Sequence, residues 1–301
     1  MRAIIIGSMG FIGRHLHDHF KELGFDVWGA DVILDKSNDD HFFLIDPDTS
    51  DFSAIFRDIT YEICVNCSGS SNVPASFIKP SFDYCLNTFN VFKILDSIRQ
   101  LQPSCKFLNL SSAAVYGSPT ILPIEETAVP NPLSPYGVHK LQAEEICREF
   151  YSFYQIGTCS LRVFSVYGPG LKKQLFWDIY KKTREDSAIT FFGTGNESRD
   201  YIYIKDLVKA IELVCMSSDF KADIINIANG EEIRIKDAVS TFFNLFSSKI
   251  NYKFTGECRK GDPINWQAGI KKLKSLGYKP SVNLTDGLRQ YYEWIIKNDI
   301  R

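Results

Sequence analysis

No hydrophobic run in the sequence approaches the roughly 18 residues that a transmembrane helix needs. The amino-terminal stretch MRAIIIGSMG contains an apolar segment too short for the hydrophobic core of a signal peptide. Runs of lysine and arginine are also missing, and the net charge of −2 argues against an electropositive surface for nucleic acid or anionic membranes. We therefore expect a cytoplasmic globular protein that binds neither nucleic acid nor membrane.

The eight cysteines form no recognisable disulfide or metal-binding pattern. They are scattered through apolar segments of a long chain, as reduced core thiols are. Cys64 and Cys67 form a C-x-x-C, but an odd separation within a strand sends their side chains to opposite faces of a sheet. His15 and His19 can share a helix face, yet no set of carboxylate ligands accompanies them. We expect no metal site.

Apolar segments of strand length recur along the chain and alternate with helical patterns, which is typical of a parallel, doubly wound α/β sheet. The expected strands cover residues 2–7, 25–31, 42–46, 62–69, 105–112 and 158–164. Since parallel strands end at one edge of a sheet, the residues at their carboxyl ends should meet in one crevice. Six residues are expected there: Gly7, Asp31, Asp46, Ser68, Ser112 and Ser165.

The first expected strand runs directly into the segment GSMGFIG and then into an amphipathic helix. Such a unit binds phosphate, because Gly7 allows a tight turn, Gly10 lets the backbone approach a pyrophosphate and Gly13 lets the helix pack on the strand. The spacing is G-x-x-G-x-x-G rather than the G-x-G-x-x-G of the common dehydrogenases. We expect this loop, with Phe11 and Ile12, to bind a dinucleotide.

Asp31 ends the second expected strand about 20 residues beyond the glycines. A carboxylate there accepts hydrogen bonds from an adenosine ribose and repels a 2′-phosphate, which favours NAD(H) over NADP(H). Alternatively, Asp31 is a strand-terminal residue that begins a turn. Lys36 is close enough along the chain to blur the preference, so NADP(H) stays open as a second cofactor.

Three polar side chains predict proton-transfer chemistry. Ser112 ends an expected strand, and Tyr136 and Lys140 lie four apart at the start of a helical pattern, where both can point into one cleft. A lysine cation near a phenol lowers the phenol pKa from about 10 toward neutrality, where it can exchange a proton with a substrate hydroxyl. With Ser112 bonded to the same oxygen, this set suits alcohol/ketone interconversion. Taken alone, Y-x-x-x-K is also common on solvated helix faces.

The strict alternation of strands and helices ends near Gly168. We place a nucleotide-binding domain at residues 1–168 and a smaller substrate-binding lobe, interleaved with the first, at 169–301. Arg199 in this lobe has two interpretations: it binds a phosphate through its fork of donors, or it pairs with the neighbouring Asp200.

Together these segments resemble the extended short-chain dehydrogenase/reductase family, in particular its nucleotide-sugar epimerases, dehydratases and reductases. The matching segments, which span nearly the whole chain, are GSMGFIG, Asp31, SSAAVYG, YGVHK, LRVFSVYGPG, GTGNESRDYIYIKD and LGYKP. The resemblance implies a Rossmann-type fold with a smaller C-terminal substrate-binding lobe, an NAD(H) cofactor and a nucleoside-diphosphate sugar as substrate.

The resemblance also implies roles for individual residues. Ser112 matches the catalytic Ser/Thr of the family, Tyr136 its acid/base, and Lys140 its ribose-binding lysine. Asn87 matches an asparagine that supports the active-site end of the cofactor.

In the second lobe, Arg199 matches the arginine that grips the phosphates or ribose of the sugar nucleotide. Arg259 and Asp262 resemble a late R-x-G-D motif that contacts the nucleotide. Ser165 stands where many members carry a substrate-contacting asparagine, and we retain Ser165 as a substrate-binding residue.

The family's 4,6-dehydratases carry an Asp-Glu pair where this chain has Ala113 and Ala114, which argues against dehydration. We expect NAD(P)H-dependent reduction of a nucleoside-diphosphate 4-keto-6-deoxyhexose at C4, as in the synthesis of dTDP-linked deoxysugars for surface polysaccharide. The alternative is an NAD-dependent C4 epimerase, but epimerases of the family tend to run longer than 301 residues. A non-catalytic NAD-binding relative would lack one of the Ser, Tyr and Lys residues that are present here.

Two helical segments, 82–98 and 136–154, are apolar on more than one side. One surface of each should pack on the sheet, and the other on a partner chain. We therefore expect a homodimer with a four-helix interface.

Overall fold

The computed structural model describes residues 1–35, 40–185, 188–247, 250–257 and 259–298 of the chain. Within these ranges the strands are β1 (Arg2–Ile6), β2 (Asp26–Asp31), β3 (Phe42–Leu44), β4 (Ile63–Asn66), β5 (Lys106–Ser112), β6 (Thr158–Val163), β7 (Ser165–Tyr167), β8 (Ala188–Phe191), β9 (Ser198–Arg199), β10 (Tyr201–Tyr203), β11 (Lys221–Ile227), β12 (Ile233–Arg234) and β13 (Asn251–Phe254). The α-helices are α1 (Phe11–Glu22), α2 (Ser53–Arg57), α3 (Val73–Ile78), α4 (Pro80–Tyr84), α5 (Asn90–Leu101), α6 (Pro135–Tyr154), α7 (Gln174–Glu185), α8 (Ile204–Ser217), α9 (Ile235–Phe243), α10 (Lys271–Ser275) and α11 (Leu284–Asn298).

Seven of these strands form one parallel sheet in the order β11-β6-β5-β4-β1-β2-β3. The strands are apolar over consecutive residues because helices cover both faces. In β1, Ala3 and Ile5 join a core with α1 and α8, while Ile4 and Ile6 join a second core with α2, α5 and α6. The expected doubly wound α/β fold is confirmed.

The second lobe is built from short strand pairs that lie far apart in the chain. β7 pairs with β10, β8 with β13 and β9 with β12, and α7, α9 and α11 pack around them. The Trp266 indole N–H donates to the Gly117 carbonyl at 2.9 Å, which ties the lobe to the segment just beyond β5. The chain also returns to the main sheet as β11, so the two parts interleave, and the division at residue 168 stays a prediction.

α4 and α5 are joined by a π-helical turn, Cys85–Phe89, without an interruption of the helix. Such turns insert one residue into the helical ladder and are frequent at functional sites. Here the turn buries Asn87, and the sequence pattern did not predict it.

The seven cysteines in the described ranges are free, and most of them are buried. In the same ranges, no three His, Cys, Asp or Glu side chains are grouped so that they could hold a metal ion. A helix both long and apolar enough to cross a membrane is likewise absent from the part of the chain that the structure describes.

Candidate functional site

The glycine loop lies between β1 and α1 and has no room for a side chain at Gly7 or Gly13. Gly7 has a φ of +83°, and a Cβ there would lie 2.6 Å from the backbone nitrogen of Ser68. A Cβ at Gly13 would collide with the Gly7 carbonyl. Gly10 precedes α1 without a side-chain cap, so the first backbone amides of the helix, including those of Phe11 and Ile12, are available to an anion.

Asp31 ends β2 beside this loop and is only 8% exposed. Its Oδ2 accepts a hydrogen bond from the Met9 amide at 2.9 Å, and its Oδ1 accepts one from the Ile33 amide at 3.1 Å. The carboxylate therefore begins a turn, and each oxygen keeps a second lone pair for a ribose hydroxyl. Both interpretations of Asp31 are compatible with this geometry. Lys36 lies outside the described residues.

The other two strand-end residues expected on this side differ in their placement. Ser68 follows β4, its backbone packs against Gly7, and its hydroxyl donates to Asn66 Oδ1 at 2.6 Å. Asp46 follows β3, is exposed, and accepts a hydrogen bond from the Asp48 amide at 2.9 Å. The structure thus brings Ser68 to the glycine loop, whereas Asp46 follows the edge strand of the sheet, two strands away from β1.

Asn87 is the residue whose surroundings point most directly to a ligand. It is 1% exposed, and neither polar atom of its amide has a hydrogen-bond partner among the described residues. A Cβ at Gly69 would lie 2.5 Å from Asn87 Oδ1 and 3.5 Å from Lys140 Nζ, so three segments meet here. Leaving a buried polar group unpaired costs about 1–3 kcal/mol. A ligand that bonds to the amide would remove that cost.

Tyr136 and Lys140 are brought together with Ser112 by the start of α6. Ser134 caps the helix, and its Oγ accepts a hydrogen bond from the Gly137 amide at 3.1 Å. A Cβ at Gly137 would lie 2.6 Å from a backbone carbonyl oxygen just beyond Ser112, so only glycine lets the helix approach this closely. Lys140 Nζ donates to the Leu110 carbonyl in β5 at 2.8 Å.

The expected lowering of the Tyr136 pKa is wrong for the chain by itself. Burial raises the pKa of Tyr136 to about 12, although a hydrogen bond with Ser112 lowers it, and the negative charge of Asp83 raises it further. Burial also lowers the pKa of Lys140 to about 8. Desolvation disfavours the charged form of both groups, and Lys140 is not among the groups that shift the Tyr136 pKa, contrary to what the four-residue spacing predicts.

Two acidic residues behind the site were missed in the sequence. The Glu144 carboxylate forms a buried ion pair with Arg162 at 2.7 Å and accepts a hydrogen bond from the Ser111 hydroxyl at 2.6 Å. Glu144 lies one helical turn beyond Lys140 on α6, and this four-residue spacing is the sequence signal that could have revealed it. Asp83 bonds His139 at 2.7 Å, and no local sequence pattern indicates that pair.

Arg199 does not pair with Asp200 in the described structure. Its Nη1 donates to the carbonyls of Ser198 and Ile264 at 2.7 and 3.2 Å, and its guanidinium lies 5.5 Å from the ring centroid of Trp266. The Asp200 carboxylate instead accepts backbone N–H groups, those of Asn229, Gly230 and Ala268. Arg199 is therefore held as a partly buried cation on an aromatic surface.

The remaining residues expected to bind substrate lie in the same lobe. Arg259 and Asp262 form an ion pair of 3.0 Å, and both charges act on Arg199, so the three groups share one region. Ser165 begins β7 directly after β6, and its amide donates to the Asp200 carbonyl at 3.0 Å. Its half-buried side chain lies beyond the same sheet edge as Ser112.

Comparisons with known proteins agree with this geometry. The family model described as NAD dependent epimerase/dehydratase family matches residues 3–228. A Methanocaldococcus jannaschii protein provisionally named UDP-glucose 4-epimerase is 30% identical, covering 98% of this chain and 99% of that protein.

Two solved structures extend the comparison. The UDP-glucuronic acid 4-epimerase of Bacillus cereus, in complex with UDP-glucuronic acid and NAD, is 27% identical over 99% of both chains, with a TM-score of 0.89. The UDP-N-acetylglucosamine 4-epimerase of Methanobrevibacter ruminantium M1, in complex with UDP-N-acetylmuramic acid, is 25% identical over 98% of both chains, with a TM-score of 0.88. The chain therefore belongs to the NAD-dependent epimerase/dehydratase family, within the extended short-chain dehydrogenases/reductases.

Proposed function

We propose that this protein is a cytoplasmic, NAD-dependent 4-epimerase of a UDP-linked hexose or hexose derivative. The observation that carries the proposal is the similarity over 99% of both chains to a 4-epimerase whose structure contains a UDP-sugar and NAD. The presence of Ser112, Tyr136 and Lys140 around one buried site supports a catalytic rather than a purely binding role.

This proposal replaces our first expectation, a 4-keto-6-deoxyhexose reductase. That expectation depended on chain length, because epimerases were expected to be longer. The relative named as a 4-epimerase is matched over 99% of its own length, so the length of this chain does not argue against epimerisation. The relative found by sequence and the two relatives found by structure all carry the name of a 4-epimerase, which favours epimerisation over reduction.

The residues present fit NAD. The glycine loop offers helix N-terminal amides for a pyrophosphate, Asp31 offers carboxylate lone pairs for a ribose, and the unpaired amide of Asn87 offers a donor and an acceptor near Lys140. Bound NAD would supply reversible hydride transfer at the sugar C4. Ser68, beside the glycine loop, and Asp46, after the edge strand β3, are the further proposed cofactor-binding residues.

The chain's own contribution is control of the proton on the C4 oxygen. Tyr136 Oη takes that proton when C4 becomes a ketone and returns it when the alcohol is restored on the opposite face. Ser112 Oγ holds the same oxygen by a hydrogen bond. Since burial raises the pKa of Tyr136 to about 12, proton removal depends on positive charge near the phenol, and Lys140 is the cation that the chain supplies.

The second lobe would hold the sugar nucleotide. Arg199, fixed on Trp266 by its hydrogen bonds to two carbonyls, has donors left for a pyrophosphate or ribose. Arg259 and Asp262 lie beside it for further contacts to the nucleotide, and Ser165 is the proposed sugar contact. This division leaves C4 redox chemistry to the first part and substrate choice to the second.

The homodimer stays a proposal, and its support is a set of exposed apolar side chains on the two helical segments. On the α4 to α5 helix Val91, Ile94 and Ile98 are buried, whereas Phe82 and other aromatic residues are exposed. On α6, Phe153 is 78% exposed. Apolar patches of this kind mark protein interfaces, and a second copy would bury them in a four-helix arrangement.

The test is to incubate the protein separately with UDP-glucose, UDP-glucuronic acid and UDP-N-acetylglucosamine, and to follow the C4 epimers by NMR. A parallel reaction supplies NADH with a dTDP-4-keto-6-deoxyhexose and follows NADH absorbance. Interconversion of one UDP-sugar pair without NADH loss supports the proposal. Stoichiometric NADH consumption in the parallel reaction, with no interconversion, would restore the reductase.

A further inference from the structure

Lys140 is a buried cation without an ion-pair partner. It is 5% exposed, and its ammonium donates to a neutral acceptor, the Leu110 carbonyl. No carboxylate among the described residues lies within ion-pair distance of it. A buried ammonium needs compensating negative charge to stay protonated, because desolvation favours its neutral form.

The compensating charge comes from the helix that packs on α6. Among the charges that act on Lys140, Asp83 in α4 has the largest effect, ahead of Cys67 after β4 and of Glu144 and Cys147 in α6. Each of the acids raises the pKa of Lys140, which burial otherwise lowers to about 8. Glu144 has its own cation in Arg162, whereas Asp83 has no lysine or arginine partner in the described ranges.

Asp83 is held in place by His139, the residue before Lys140. The two bond at 2.7 Å between Oδ2 and Nδ1, and Asp83 Oδ1 is buried without a described partner. The Tyr84 ring lies edge-on to the imidazole at 5.5 Å, and the Thr88 hydroxyl donates to the His139 carbonyl at 2.9 Å. One segment therefore fixes both the carboxylate and the backbone that carries Lys140.

We propose that Asp83, held by His139, is a positioning residue that keeps Lys140 in its cationic form. The role rests on the proposed function, since it matters through the help that Lys140 gives to Tyr136 and to cofactor binding. It does not require Asp83 to touch substrate or cofactor. A purely structural bond between α4 and α6 would hold the helices together without affecting the charge of Lys140.

The deciding variant is Asp83→Asn, which has nearly the same shape and removes the charge. The titration of Lys140 is followed in the full-length protein by NMR of ¹³C,¹⁵N-lysine, with the signal assigned through Lys140→Arg. We expect a midpoint of about 8 in the unaltered protein. In Asp83→Asn it should fall by roughly one pH unit, the lower end of what a nearby opposite charge contributes.

The same shift should appear in turnover. At pH 8 about half of the unaltered protein and roughly one tenth of Asp83→Asn would carry the cation, so the rate of the variant relative to the unaltered protein should be roughly fivefold lower at pH 8 than at pH 6. At pH 6 both are almost fully protonated, and the comparison of the two pH values removes the effect of Asp83 on the Tyr136 pKa, which is the same at both.

Two further variants separate charge from packing. His139→Asn keeps an N–H donor near the position of Nδ1 and should leave the Lys140 midpoint within a few tenths of a unit. Glu145→Gln removes an exposed acid from the same helix and should leave both midpoint and rate unchanged. An unshifted Lys140 midpoint in folded Asp83→Asn would overturn the proposal. This NMR result stands even if no UDP-sugar is turned over, which would count against the proposed function instead.

Discussion

The nucleotide-binding part and the second lobe of this molecule are built by different means. In the first part, strands of three to seven residues pair in one parallel sheet, and the proposed catalytic and cofactor-binding residues lie at their carboxyl ends. In the second, two-residue strands such as β9 and β12 are held by contacts between distant segments, as when Asp200 collects backbone amides from two loops. The proposed chemistry therefore lies on the regular sheet, and the proposed substrate contacts lie on the irregular lobe.

The largest effect is expected for the proton carrier of the first part. Tyr136→Phe removes the hydroxyl and keeps the ring, so the fold and NAD affinity should be preserved while kcat falls by roughly 10²–10⁴, the usual contribution of a positioned acid/base. Steady-state kinetics and NAD titration check it, with Tyr154→Phe, on an exposed face of the same helix, as the control. Near-normal turnover in Tyr136→Phe would show that Tyr136 is not the acid/base.

The pH dependence should come from the same part. Activity should fall as pH rises through about 8, because Lys140 then loses its cation. Each unit above that value should cost up to about tenfold, the slope of a single titration. In the proposed mechanism the Lys140 cation is what favours the Tyr136 phenolate that takes the C4 proton, so its loss leaves the phenol with the pKa of about 12 that burial imposes.

The control for the pH profile is Lys140→Arg, since arginine keeps its charge throughout. Its alkaline limb should disappear or move to higher pH, even if its rate is lower at every pH. A limb that stays at the same pH in this variant would belong to another group.

The second lobe should respond in binding rather than in chemistry. Arg199→Ala removes the proposed phosphate donor and should raise KM for the UDP-sugar by roughly tenfold or more, since a hydrogen bond to a charged group contributes about 1.5–3 kcal/mol. The value of kcat should change much less. Arg289→Ala, which removes an exposed arginine of α11 that pairs with Asp286, is the matched control. A fall in kcat with unchanged KM would contradict the division between the two parts.

The smallest effect is expected for cofactor choice. Asp31→Asn removes the charge that would repel a 2′-phosphate and keeps one acceptor for the Met9 or Ile33 amide. The ratio of NAD to NADP affinity should fall several-fold, measured by fluorescence titration of the reduced cofactors. Equal affinity for both cofactors in the unaltered protein would mean that Asp31 acts only as a turn residue.

The same contrast explains what could be predicted from the sequence. The spacing of Gly7 and Gly13 predicts that other backbone segments pack directly against them, as the structure shows. The four-residue separation of Tyr136 and Lys140 likewise predicts that they share one face of α6. The pKa of Tyr136 was predicted in the wrong direction because spacing contains no information on how deeply the phenol is buried. Burial depends on packing between segments that only the fold brings together.

Other features of the site depend wholly on such packing. Asp83 and His139 meet because α4 packs on α6, and the π-helical turn that buries Asn87 has no pattern of its own. In the second lobe, Arg199 and Asp200 are neighbours in sequence, yet the carboxylate accepts from distant amides and the guanidinium donates to the carbonyls of Ser198 and of the distant Ile264. Adjacent charges in sequence therefore do not predict a pair when buried backbone groups need partners.

The most direct test of the account is the fate of the hydrogen on C4. The protein is given the UDP-sugar that it interconverts, deuterated at C4, together with unlabelled NADH in solution, and the product epimer is analysed by NMR and mass spectrometry. The account predicts that the deuterium is retained at C4 in both epimers and that the NADH stays unlabelled and is not consumed. Loss of deuterium from C4, or its appearance in the free cofactor with net NADH consumption, would contradict it.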